Sequence, residues 1–176
     1  MIKELLDKGL IQFGLFDSKP FDLSLEMICS YPSLRGRLAN QLCEEMNPEV
    51  IDHLVCSIES ICLATTISGQ INRSLIPSFA SRPQLVGSFD YAHPAMLIVN
   101  TWWGNAEQHE FIAYCDNAGL HITEICGVIA TTQKAPENII LKTLFKLSDV
   151  IDFAADTGYI SSNLAAMCKQ HINILD

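Results

Sequence analysis

Residues 96–119 constrain the fold of this chain more than any other stretch. Met96-Leu97-Ile98-Val99-Asn100 is an apolar run that stops on a polar residue, and Thr101-Trp102-Trp103-Gly104-Asn105 follows as a turn. The pattern predicts a buried strand, then a helix from about Glu107 to Ala118 closed by Gly119. A strand, a tight turn and a helix N-terminus make a corner whose free N–H groups and helix dipole point at an anion. Here the corner carries no carboxylate, and two indoles fill the turn.

The rest of the chain repeats the alternation. Residues 2–8 read as a short helix ending at Gly9. Ile11–Phe16 and Phe21–Leu23 read as a hairpin across Asp17-Ser18-Lys19-Pro20. A helix starts at Ser30-Tyr31-Pro32, with Pro32 in its first turn and Leu34, Leu38, Leu42 and Met46 on one face, and ends at Asn47-Pro48. A strand over Ile51–Ser57 follows, then a helix over Ser60–Ser68 closed by Gly69. Leu75–Phe79 reads as a short strand whose Pro77 argues for an edge or for the strand's beginning, and 80–95 as a loop. After Gly119 come a β-run over Ile122–Ala130 and a last strand over Ile139–Phe145. A helix capped by Ser148 runs to Ala155 and stops at Gly158, and a final helix spans Ser161 to about His171. Alternating strands and helices predict an α/β fold with a mostly parallel sheet and helices on both faces.

A chain of 176 residues with 49% hydrophobic and 18% charged residues is expected to form one globular domain. Its net charge of −9 repels nucleic-acid backbone and anionic lipid, so neither is an expected partner. No apolar run has the ~20 residues needed to span a bilayer, and Met1–Lys8, which carries acids, does not read as a signal peptide. The seven cysteines are odd in number, irregularly spaced and set in apolar runs. They predict reduced, mostly buried thiols and a cytoplasmic protein. Without a ligand-spaced cluster, no structural metal is expected.

Several segments resemble orotate phosphoribosyltransferase, a type I phosphoribosyltransferase. Leu5–Phe16 resembles its opening helix and first hood strand, and Tyr31-Pro32-Ser33-Leu34 its next helix start. Leu63–Ser68 resembles the helix after the pyrophosphate loop, Asn117–Glu124 the connection after the phosphoribosyl site, and Leu147–Ile151 the closing helix. The resemblance implies a single domain over 1–176, with a small N-terminal hood at about 1–30 and a core at about 31–176. It also implies a homodimer.

The functional motifs depart from that family in four places. Its phosphoribosyl-pyrophosphate motif has two acids for the ribose hydroxyls, two small or apolar residues, and a Thr-Thr-Gly cradle for the 5′-phosphate. Here these fall on Asn100 and Thr101, on Trp102 and Trp103, and on Gly104, Asn105 and Ala106. The pyrophosphate loop becomes Val55–Ser60, about two residues short, and Glu59 sets a negative charge beside a diphosphate. The mobile basic lid falls on 79–87, where Arg82 keeps a basic position and Pro83 replaces a lysine. The orotate arginine falls on Thr131-Thr132-Gln133, which lacks a bidentate donor. Lys19 matches a basic hood residue.

The candidate ligand-binding residues are therefore Asn100, Thr101, Trp102, Trp103, Gly104 and Asn105, with Lys19 and Arg82 as residual basic positions in place of a catalytic set. Glu44, Glu45, Asp52 and His53 read as exposed charges, and Cys56 as a buried thiol. The leading reading is an orotate phosphoribosyltransferase-like protein of pyrimidine metabolism that is catalytically degenerate and binds a pyrimidine-type ligand or a protein partner. The alternatives are an active divergent phosphoribosyltransferase and a structural homodimeric subunit. No cofactor is expected, and Mg2+ enters with phosphoribosyl pyrophosphate only if the protein is active.

Overall fold

A computed structural model of the chain describes residues 1–17, 19–79 and 84–175. Helix α1 (Ile2–Asp7) leads into the antiparallel hairpin β1 (Ile11–Phe16) and β2 (Lys19–Leu23), which forms its own two-stranded sheet. A 3-10 turn over Leu25–Ser30 joins this hood to α2 (Pro32–Glu45). The core continues through β3 (His53–Ser57), α3 (Ile61–Ile71), β4 (Ser74–Ser78), β5 (His93–Trp102), α4 (Ala106–Ala118), β6 (Leu120–Ala130), β7 (Ile140–Lys146), α5 (Leu147–Asp156) and α6 (Ser162–Leu175).

The five core strands are parallel and ordered β4-β3-β5-β6-β7. β4 is the edge strand, one of the two places where the missing N–H of Pro77 is tolerated. β5 is buried from Ala95 to Trp102, since helices cover both faces of a parallel sheet. Its side chains alternate between two cores. Met96 and Ile98 face a large cluster with Leu38 and Leu42 of α2 and Leu63 and Ile67 of α3. Ala95, Leu97 and Val99 face a smaller one with Ile112 and Cys115 of α4. Gly127 of β6 lies against β5, where an added Cβ would meet the Val99 carbonyl oxygen at 3.0 Å.

The structure corrects several expectations at element ends. β5 runs on to Trp102, so that residue belongs to the strand and not to the turn. Gly69 lies inside α3, which ends two residues later with Asn72 in the left-handed region at φ 53°. Ser148 is not the cap of α5: the cap is Lys146, and the Ser148 hydroxyl donates to Asp149. Gly119 does close α4, at φ 96°, a conformation that favours glycine. The final helix continues beyond His171 to Leu175.

The thiol reading is corrected for two residues. Cys29 of the hood and Cys62 at the start of α3 form a disulfide, with 5.6 Å between their Cα atoms. Cys56, Cys115 and Cys126 are buried and free, and burial pushes each thiol up to about 12. These three should resist alkylation at pH 8 in the native state and react only after unfolding. In the unfolded chain such thiols ionise near 9, so from pH 9 towards 12 the folded state binds more protons. Stability should therefore fall as pH rises through that window, which urea midpoints at pH 8 and pH 10 will show. Among the described residues no helix is long and apolar enough to cross a membrane.

Candidate functional site

The sheet order places β3 and β5 side by side while their connections leave in opposite directions. In such sheets ligands bind beyond the carboxyl ends of those strands. A cavity of about 570 Å³ lies there, between the segment after β3, the end of β5, the start of α4 and the hood. Its buried polar residues are Ser60, Ser78, Asn100 and Thr101. Trp103 and Phe111 supply aromatic walls, and Glu26, Glu59, Glu107 and Glu110 stand exposed around it. No lysine or arginine lines it among the described residues.

Asn100 is held from two sides. Its backbone N–H donates to Ser60 Oγ at 2.9 Å, and its Nδ2 donates to the Glu59 carbonyl at 2.7 Å. That carbonyl fixes the amide orientation, since a flipped amide would set two acceptors together. Oδ1 is left buried with no partner among the described residues. The Glu59 carboxylate accepts from Ser57 Oγ at 2.7 Å.

The anion corner itself is occupied from within. Gln108 Oε1 accepts from Trp103 N–H at 2.8 Å and Gly104 N–H at 3.1 Å, while its Nε2 donates to the Thr101 carbonyl at 2.8 Å. Asn105 caps α4 by accepting from Gln108 N–H at 3.0 Å. This is a capping box, Asn105-x-x-Gln108, whose glutamine reaches back past the cap to the two N–H groups before it. The sequence carried that signal, and the reading above missed it. Gly104 adopts φ 64°, and an added Cβ there would meet Thr132 Cγ2 at 2.5 Å.

The two tryptophans go to opposite faces. Trp102 is fully buried in the smaller core, stacks on His109 at 5.8 Å, and donates from Nε1 to the Lys134 carbonyl at 3.0 Å. It is a core residue and does not line the cavity, which corrects its candidate binding role. Trp103 lines the cavity and packs against the larger core. Asn100, Thr101 and Asn105 also line it, while Gly104 shapes the turn. Lys19 is exposed at the start of β2 and is not among the lining residues, and Arg82 lies outside the described residues. Thr131 is buried, and its hydroxyl donates to the Trp102 carbonyl at 3.2 Å, which ties the ends of β5 and β6 together.

Two other expectations meet the structure here. His53 is buried rather than exposed: Nδ1 lies 2.6 Å from Ser74 Oγ, and Nε2 accepts from Asp90 N–H at 3.3 Å. Cys56 is a fully buried thiol, as read from its apolar strand. Among the described residues, no group of three or more His, Cys, Asp or Glu residues is placed to hold a metal ion. The end of β5 offers the carboxamide of Asn100 and the hydroxyl of Thr101, and no carboxylate. The glutamates around the cavity repel a diphosphate, so the donor set does not fit a magnesium–diphosphate pair.

No protein-family model matches the sequence, and no curated protein matches it. Solved structures do match. An orotate phosphoribosyltransferase from Aeropyrum pernix superposes with a TM-score of 0.76 at 11% identity, over 91% of this chain and 99% of that one. The chain has the type I phosphoribosyltransferase fold. Leishmania donovani UMP synthase shares it with a TM-score of 0.83 at 17% identity, over 98% of this chain, which spans only 41% of that protein. An adenine phosphoribosyltransferase from Trypanosoma brucei, solved with AMP, pyrophosphate and ribose-5-phosphate, has a TM-score of 0.60 at 15% identity, over 85% of this chain and 80% of that one. On this type I phosphoribosyltransferase scaffold the hood, switch-point cavity and strand–turn–helix corner are all present.

Proposed function

We propose that this protein is a catalytically silent, orotate phosphoribosyltransferase-like protein that acts by binding. One observation carries the reading: the Gln108 carboxamide accepts from both turn N–H groups, at Trp103 and Gly104, that would otherwise be free for a phosphate. A neutral side chain held by two hydrogen bonds and a third back-bond competes with an anion at no entropic cost of association. The missing carboxylates at Asn100 and Thr101, and Thr131 in the place of the orotate arginine, support the same reading. The cavity beside this corner remains large enough for a small ligand, which suits a pyrimidine-type ring or a partner's side chain better than an empty structural role.

Two measurements test this. Orotate, phosphoribosyl pyrophosphate and magnesium at high protein concentration should give no nucleotide, because losing several transition-state contacts, each worth about 10²–10³ in rate, leaves little catalysis. Millimolar inorganic phosphate should leave the amide resonances of Trp103 and Gly104 unmoved. Turnover above background, or saturable movement of those two amides, overturns the proposal.

A further inference from the structure

The Cys29–Cys62 bridge joins two walls of the cavity. On one side stands the hood, where Leu25 and Glu26 line the cavity from the same 3-10 turn that carries Cys29. On the other stand Glu59 and Ser60, directly before α3, whose second residue is Cys62. The α3 side is fixed by the core: Leu63, Ala64 and Ile67 are fully buried, and Ser60 Oγ accepts from the Asn100 N–H at 2.9 Å. The hood side is held less firmly. Leu25 and Ile28 are buried, but the turn has no side-chain cap at its start, and 3-10 hydrogen bonds have poor geometry. The bridge adds the covalent restraint that this wall otherwise lacks.

The bridge is also within reach of solvent. Cys29 is exposed and Cys62 half-buried, whereas the free thiols of Cys56, Cys115, Cys126 and Cys168 are buried. Exposed disulfides are the labile ones, because exchange requires a thiolate to reach one of the sulfurs. We propose that this bridge is a thiol-operated clamp on the cavity: closed, it holds the hood wall to α3, and opened by a dithiol it releases that wall while the core stays folded. A thiolate of the dithiol attacks Cys29 Sγ, the more exposed sulfur. A mixed disulfide forms there, and the Cys29–Cys62 bond breaks with its electron pair leaving on Cys62 Sγ. That sulfur sits in the first turn of α3, where free N–H groups and the helix dipole favour an anion. The dithiol's second thiolate then attacks its own sulfur in the mixed disulfide, and Cys29 leaves as a thiolate. Both cysteines take up the protons that the dithiol gave up. The net change is one protein disulfide reduced by two electrons to two thiols, and one dithiol oxidised to a disulfide. The clamp rests on the binding reading above only for its consequence, that a loosened wall changes what the cavity holds.

Dithiothreitol added to the full chain at neutral pH tests this, read by iodoacetamide labelling mapped to each cysteine and by amide hydrogen exchange. After oxidation with glutathione disulfide, Cys29 and Cys62 should resist labelling. Millimolar dithiothreitol should open both to labelling while Cys56, Cys115 and Cys126 stay protected. The amides of Met27 and Tyr31, which donate to the Ser24 and Ile28 carbonyls, should then exchange at least about tenfold faster, as a locally opened segment does. Re-oxidation should restore slow exchange. Cys29→Ser combined with Cys62→Ser should exchange fast with or without dithiothreitol, and the comparison within the parent chain needs no variant. Three results overturn the proposal: no bridge after oxidation, a bridge that opens only when the buried thiols react as well, or Met27 and Tyr31 amides indifferent to dithiothreitol. Nucleotide turnover would instead overturn the silent-enzyme reading, so the two failures are distinct.

Discussion

Trp102→Ala is expected to lower stability by about 3–5 kcal/mol, the cost of truncating a large, fully buried aromatic. The indole is 0% exposed, stacks on His109, and spends its N–H on the Lys134 carbonyl. Alanine would leave a cavity between the end of β5, α4 and the end of β6, and that carbonyl would lose its donor. For a domain of this size the loss corresponds to a fall in melting temperature of roughly 10 °C. Trp103→Ala should behave differently, because Trp103 is only half-buried at the cavity wall. It should cost about 1–2 kcal/mol and act mainly on ligand binding. Thermal melts of the two single variants decide between these roles. Equal losses in both would mean that the two indoles share one core function.

Removing the Cys29–Cys62 bridge has the second large effect. The two residues are 33 apart in sequence, and closing a loop of that length restricts the unfolded chain by about 3–4 kcal/mol. The bridge fastens the hood's 3-10 turn to the first residues of α3. These segments lie beside two cavity residues, Glu26 and Ser60, so its loss should loosen the pocket as well as the fold. Cys29→Ser with Cys62→Ser, compared with the parent under non-reducing conditions, should show the full loss in urea midpoint. Adding reductant should lower the parent to the level of the double variant and leave the variant unchanged. A parent that melts identically with and without reductant would show that the bridge contributes nothing to stability.

Much of the architecture was legible in residue order because it depends on local pattern. The apolar run at Met96–Val99 has no polar face and ends on a polar turn, which reads as a buried strand. Gly119 follows a helical period and takes φ 96°, and Pro77 lies in the edge strand. The absence of carboxylates at Asn100 and Thr101 needed no coordinates either, since residue type alone removes that chemistry. Element ends were less legible. Gly69 suggested a stop, but α3 continued because Ile71, beyond it, still packs on the core.

Other features were decided only by tertiary structure, because they depend on where distant segments meet or which way a side chain turns. Trp102 and Trp103 are adjacent in sequence, yet Trp102 is buried in the smaller core while Trp103 packs against the larger one. Cys29 and Cys62 pair because the hood folds down on α3. The four glutamates, scattered from 26 to 110, become one acidic cavity because the hood, the β3 end and α4 converge there. Gln108 is only a few residues from the turn it fills, and its capping pattern is visible in sequence. Which N–H groups its carboxamide receives follows from the path of the backbone through Gly104, whose left-handed conformation turns the Trp103 and Gly104 N–H groups toward it.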